Sequence, residues 1–442
     1  RACGRFCCMK QLTELTTSFT SVADSIDLPG QDLSWIQEIR QQALAQFNQS
    51  GFPSKKVEDW KYTSLWELTQ LQFSHLVEPV EVSEQHCEQL ALLEDAYRVV
   101  IVDGVFSADL SKLTSLQEGL TVGPFSQSLE RIQQQLGKQV SIEKEGLTAL
   151  NTLLMKEGVM VHIAEDKIID KPIELLVINT GGTDNLATHL RNMIVLDDNA
   201  EATVIEHYVG LTDTSCLTNV VSEVILAEKA ELFHYKLQQE SDNAFHIATL
   251  AAKQATGSQW HTNNINLGAK LARNDIHSQL FGEQSHTTMD GLYILDNEQH
   301  IDNHTRIDHF VPNTTSNELY KGVLNGSSHA VFNGKVMVHK DAQKTDSNQY
   351  NHNLLLSRNC EIDTKPEMEI YADDVKCGHG STVGQIDMDQ LFFLRARGLD
   401  EVTARSLLTH AFAVEVLERI PSEHIRKALS NVIEQRLPRG KK

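Results

Sequence analysis

The run Tyr371-Ala-Asp-Asp-Val-Lys-Cys-Gly-His-Gly380 carries the most suggestive pairing of reactive side chains in the sequence. Cys377 and His379 are two residues apart. On a strand, residues so spaced point to one face, with Cβ atoms roughly 6–7 Å apart by strand rise. A thiolate and an imidazole in that arrangement can chelate one soft metal ion and leave coordination positions open. Gly378 and Gly380 present no side chains, so a second backbone or subunit can approach closely. The same spacing fits a small buried thiol beside a satisfied histidine at the end of a strand, since Cys-x-His is only half of a metal site. A second group of ligating types, Asp302, His304, Asp308 and His309, could also bind a metal, but without visible fixed geometry. Twelve of the nineteen histidines fall between residues 230 and 380, and most read as polar positions on the solvent faces of strands.

Other chemistry leaves no mark. The sequence contains no G-x-x-x-x-G-K-[ST] phosphate loop, no strand-linked G-x-G-x-x-G, no H-E-x-x-H, no G-x-S-x-G and no C-x-x-C. The chain is therefore not itself a P-loop ATPase. Its 442 residues carry a formal charge of −21, which repels phosphate backbones and anionic lipid. Apolar residues make up 40%, enough for a core, and no apolar run reaches the ~18 residues of a membrane span. Three of seven cysteines (Cys3, Cys7 and Cys8) precede Met9-Lys10, which reads as a natural start. Residues 1–8 lack the apolar core of a secretory signal and read as an expression remnant or an upstream reading-frame extension. Cys87, Cys216, Cys360 and Cys377 are too dispersed for a disulfide scaffold, so a reducing cytoplasmic setting is expected.

The elements that must position Cys377 and His379 read as three units: 9–156 mostly helical, 157–386 a β-helix core, and 387–442 helical. Leu33, Ile36, Ile39, Leu44 and Phe47 give a helix ending at Gly51. Trp60, Tyr62 and Trp66 read as an aromatic anchor for the N-terminal unit. Tyr97–Val102 reads as a strand and 126–156 as helical again. From about Gly158 short alternating runs are separated by Gly, Asn or Asp turns, and Pro312 is the lone proline between Ile173 and Lys365. Proline is kept out of central strands, so a long stack of short strands, a solenoid, fits best. Internal echoes agree: Leu196–Glu201 with Leu226–Glu231, Ser285–Gly291 with Ser328–Gly334, and a fainter His379–Gly384. Asp387 then opens a helix stopped by Gly398. Asp400 caps a second running through Val402, Leu407, Leu408, Ala411, Val414 and Leu417 to Ile420, and Ser422 caps a third.

The contiguous block Asn359 to Gly380, with Glu58-Asp-Trp-Lys-Tyr-Thr63 and Leu394-Arg-Ala-Arg-Gly398, resembles the signature of the SufB/SufD family of iron–sulfur cluster assembly proteins, over about Met9 to Leu437. It looks like the SufD branch, because it lacks the additional N-terminal cysteines of SufB. The resemblance implies a mainly β fold with α elements: a right-handed parallel β-helix flanked by helical N- and C-terminal domains. It implies a non-catalytic scaffold that pairs with a SufB-like paralogue through the β-helix and carries a SufC-like ABC-type ATPase on its C-terminal helices. By the same resemblance, His379 and Cys377 face the heterodimer interface and contribute to an assembly site for a transient cluster or iron shared with the partner.

That implication agrees with the ligand count. A cluster needs about four thiolate-type ligands, and this segment offers one Cys and one His, so a partner must supply the rest. Two other readings stand beside it. One is a β-helix carbohydrate-active enzyme using Asp290, Asp302 and Asp308 in a groove. The other is a homodimeric structural solenoid.

Overall fold

A computed structural model of the chain describes residues 2–437 apart from 79 and 144, with side chains from Lys10 onward. The side chains of Cys3, Cys7 and Cys8, in the segment set aside above, lie outside the described residues. The chain winds as a parallel β-solenoid of about eight turns, with helices at both ends. From Val159 onward successive strands join alternate sheets, one of ten strands and one of nine, so each strand pairs with the strand two further on. Inward and outward side chains alternate along each strand, which buries one row against the lumen and one against solvent or flanking helices.

The register explains which echoes are real. Leu196 pairs with Leu226, so the thirty-residue echo is one turn of the solenoid. The Ser285 and Ser328 echo lies instead on strands of opposite sheets, His286–Leu295 and His329–Val338. Its shared glycine has a packing cause. A Cβ on Gly291 would lie 2.2 Å from the Tyr320 ring, and one on Gly334 2.4 Å from Gln349 Nε2. Both glycines make room in the lumen for a large neighbour. The fainter His379–Gly384 copy is out of register with the first, since His286 lines up through Thr315 and Asp346 with Lys376, three residues before His379.

Pro312 occupies a turn, and Pro366 sits on Glu361–Ile370, the last strand of the nine-stranded sheet, where a missing donor is tolerated. Tyr97–Val102 is a strand as expected, and it joins the solenoid itself by pairing in parallel with Ile173–Asn179.

The helical segments cover the two outer faces. Ser34–Ser50, ended by Gly51 at φ 60°, packs with Gly146–Leu154 over Ala187, Leu217, Phe245 and Leu271 of the nine-stranded sheet. Between 126 and 156 only Leu129–Ile132 and Gly146–Leu154 are α-helical, so that expectation holds in part. At the other end, Met388–Ala396, Glu401–Val414 and Glu423–Arg436 are capped by Asp387, Asp400 and Ser422. The middle helix stops at Val414 rather than Ile420, giving way to a 3-10 turn at Leu417–Arg419. Ala413, Leu417, Ile420, Leu429 and Ile433 pack on Tyr235, Leu237, Leu292 and Val323 of the ten-stranded sheet. Leu407, expected in the buried stripe, is 48% exposed, because the face turned inward is that of Ala404, Thr409 and Ala413.

Candidate site at the open end of the solenoid

Glu361–Ile370 and Lys376–Gly384 are the terminal strands of the nine- and ten-stranded sheets, each paired on one side only among the described residues. The solenoid therefore ends on two unpaired edges. Ile362 and Met368 pack on the lumen core, so alternation turns Glu361, Asp363, Lys365, Glu367 and Glu369 outward. Ion pairs hold this charged row: His329–Asp363 at 2.8 Å, Lys335–Glu369 at 2.6 Å and Lys365–Glu367 at 3.0 Å. Charge beside an edge discourages indiscriminate strand pairing and leaves room for a matched partner.

Cys377 is half-buried and packs against the lumen core. His379, two residues on, shares that face and is exposed. The pair thus stands at the mouth of the lumen, with Cys377 beside Ser347 and His379 beside Gln349 in the preceding turn. Neither residue is sunk in hydrocarbon away from the edge. Burial pushes the Cys377 thiol above its ordinary value, the Ser347 backbone hydrogen bond opposes this, and the Asp346 charge adds to it. In the isolated chain Cys377 is thus a thiol at neutral pH, and a bound cation would be needed to draw out the thiolate. Iodoacetamide labelling of Cys377 should accordingly be slow at pH 7 and accelerate only as pH rises beyond about 8.5, the ordinary thiol value. Peptide mapping by mass spectrometry separates it from Cys87, Cys216 and Cys360, which are buried and should lag at every pH.

The other candidates are not a site. On the strand His300–His309, Asp302 accepts from Arg273 at 2.7 Å and Thr63 at 2.5 Å and pairs with His304 at 2.9 Å. Asp308 is held by Arg306 at 2.5 Å, His277 at 2.7 Å and His339 at 2.9 Å. His309 bonds instead to Thr314 at 2.7 Å and Ser316 at 3.0 Å. Among the described residues no three His, Cys, Asp or Glu side chains gather in a metal-holding group. Asp290 lies on the opposite sheet and pairs with Arg419 at 2.8 Å, so the three acids of the carbohydrate reading share no groove and are spent on ion pairs.

Of the histidines expected on solvent faces, His234, His246 and His309 are buried, His234 against Glu206 at 3.1 Å. The aromatic anchor is narrower than expected. Trp60 is buried with its ring 4.0 Å from the Arg273 guanidinium, whereas Tyr62 and Trp66 are 39% and 47% exposed.

The chain matches the core domain of the SUF-system iron–sulfur cluster assembly proteins SufB and SufD over residues 177–412, and the SufBD N-terminal region over 9–175. It is 35% identical to the iron–sulfur cluster assembly protein SufD of Escherichia coli, covering 90% of this chain and 93% of that one. A SufBD family protein of Synechocystis is 32% identical over 95% of both chains, and SufD of Bacillus subtilis 24% identical over 92% and 95%. The solenoid and these likenesses lead to one placement: the chain belongs to the SufBD family of iron–sulfur cluster assembly proteins, on its SufD side.

Proposed function

We propose that this chain is a non-catalytic scaffold subunit whose substrate is a nascent iron–sulfur cluster or its iron, held between two polypeptides. The observation that carries the reading is an incomplete ligand pair, Cys377 and His379, beside two unpaired parallel edges. A partner solenoid with matching edges would extend both sheets and bring the missing ligands in one docking step. The partner proposed is a SufB-like paralogue, with a second copy of this chain as the substitute in its absence. Met388, Phe392, Phe393 and Leu407 are 63%, 73%, 52% and 48% exposed on the C-terminal helices. An apolar surface of that kind suits a SufC-like ATPase. Its nucleotide cycle would act on the interface through different affinities for two states. No helix among the described residues is long and apolar enough to cross a membrane, and a cytoplasmic setting is proposed with the complex.

Co-expression with the SufB-like and SufC-like proteins of the same source tests this. The three should co-purify, and anaerobic iron and sulfide should give a cluster chromophore on the complex and none that persists on this chain alone. A stable chromophore on the isolated chain, or failure of the three to associate, would overturn the reading.

A further inference from the structure

The inward face at the mouth continues into the lumen as an unbroken column. Through the strand register, His379 stands beside Gln349, Gln349 beside Glu318, and Glu318 beside Met289. Neighbouring strands lie about 4.8 Å apart, so each member is one step below the last. Gln349 is fully buried and Glu318 is 2% exposed. Gln349 Nε2 donates to Glu318 Oε2 at 2.7 Å. Gln349 Oε1 is buried and has no partner. The amide is seated firmly: it lies across Gly334, where a Cβ would come within 2.4 Å of Nε2. An acceptor buried without a donor is costly, and this one lies in the turn directly beneath the imidazole.

We infer that Gln349 is a positioning residue for His379, accepting the ring N–H that metal binding leaves free, and that Glu318 fixes the amide so that oxygen is the end offered. The inference rests on the reading of His379 as a ligand. A ligating imidazole binds through one neutral nitrogen and almost always donates from the other, which fixes its tautomer and orientation. Glu318 carries out its part by accepting from Nε2; were the Gln349 amide turned over, its oxygen would face the Glu318 carboxylate with no proton to donate. Burial raises the Glu318 carboxyl to about 7, the Gln349 hydrogen bond opposes this, and the Asp290 charge, itself paired with Arg419, adds to it. The ionised form that accepts from Nε2 is therefore available near neutrality. No proton leaves the column on binding: the ring N–H is shared with Oε1 and remains on nitrogen.

The test uses the full chain in its complex with the SufB-like protein, titrated with Co2+ and followed by its d–d absorption, with the His379→Ala complex subtracted. Gln349→Met should weaken this His379-dependent binding about 10–100-fold, the usual cost of losing an outer partner of a ligating histidine. Association with the SufB-like protein should stay unchanged. Glu318→Met should weaken it less, and Glu318→Gln, which keeps an acceptor oxygen beneath Nε2, should bind as the unsubstituted chain does. Native affinity in Gln349→Met, with binding abolished in His379→Ala, would overturn the positioning role and leave the His379 reading standing. Undiminished Co2+ binding in His379→Ala would overturn that reading and the inference with it. If Gln349→Met does not fold, the Glu318→Met and Glu318→Gln pair decides, and equal affinities would overturn the inference.

Discussion

His379→Ala should cost the assembled complex at least about tenfold in cluster formation, while leaving the chain as stable as before. The functional half follows from ligand number. Removing even an outer partner of a ligating histidine costs about 10–100-fold, and removing the ligand itself should cost no less. The structural half follows from place. His379 is exposed at the terminal strand, and among the described residues it makes no side-chain hydrogen bond or ion pair. An exposed substitution away from such features usually stays within about 0.5 kcal/mol. Anaerobic reconstitution followed by the chromophore, alongside urea unfolding of the isolated chain, separates the two. Unimpaired cluster formation would remove His379 from the site. Lost assembly accompanied by a lower unfolding midpoint would make the effect one of folding. Cys377→Ala is the companion variant, and some loss of stability is expected there because Cys377 packs against the lumen core.

Much of this was readable from residue order, and the exceptions have physical causes. The solenoid was legible because its inward rows are largely aliphatic and its turns recur, as at Leu196 and Leu226. The sheet membership of Tyr97–Val102 was not, because its parallel partner at Ile173–Asn179 lies across a long insertion of turns, short strands and two short helices. The Cys377 and His379 pair could be named from spacing and strand alternation. That it stands at a mouth depends on where pairing stops, and nothing local encodes that.

The column beneath His379 was missed for a different reason. Along Asp346–Leu355, Ser347, Gln349, Asn351 and Asn353 face inward, while Asn348, Tyr350 and His352 face outward. Polar residues on both faces erase the alternation by which an inward row is recognised. Residues such as Gln349 and Glu318 emerge only from the register, where each shares a row with its neighbour in the next turn.

Arg273→Met should destabilise the chain by about 3–5 kcal/mol, the cost of stripping one partner from a buried ion pair. Arg273 is 1% exposed and binds three elements at once. Its Nη1 donates to Asp302 at 2.7 Å and to the Asp59 carbonyl at 2.6 Å, its Nη2 reaches Asp275 at 2.7 Å, and Trp60 stacks on its plane. Methionine fills similar volume but leaves Asp302 with only His304 and Thr63. The damage should be local. The Glu58–Trp60 turn is tied to the solenoid through this arginine, whereas the lumen core lies on the other face of the sheet. Hydrogen exchange should thus rise over about residues 58–70 before it rises within the strands, and the urea midpoint should fall. Acid separates the ionic contribution from packing. Burial alone would raise the Asp302 carboxyl, but Arg273, His304 and Thr63 together hold it below its ordinary value. A depressed carboxyl contributes its stability in full above the unfolded value of about 3.9 and loses it as pH falls further. The unsubstituted chain should therefore lose stability steeply below about pH 4, and Arg273→Met should lose less there, because much of that coupling is already gone. Replacing both partners, Arg273→Met with Asp302→Leu, should recover part of the loss, since the fully buried Asp302 is then no longer stranded and only the more exposed Asp275 loses its partner. Equal acid sensitivity in the single variant and the parent would show that stacking on Trp60, not charge, fastens the N-terminal segment.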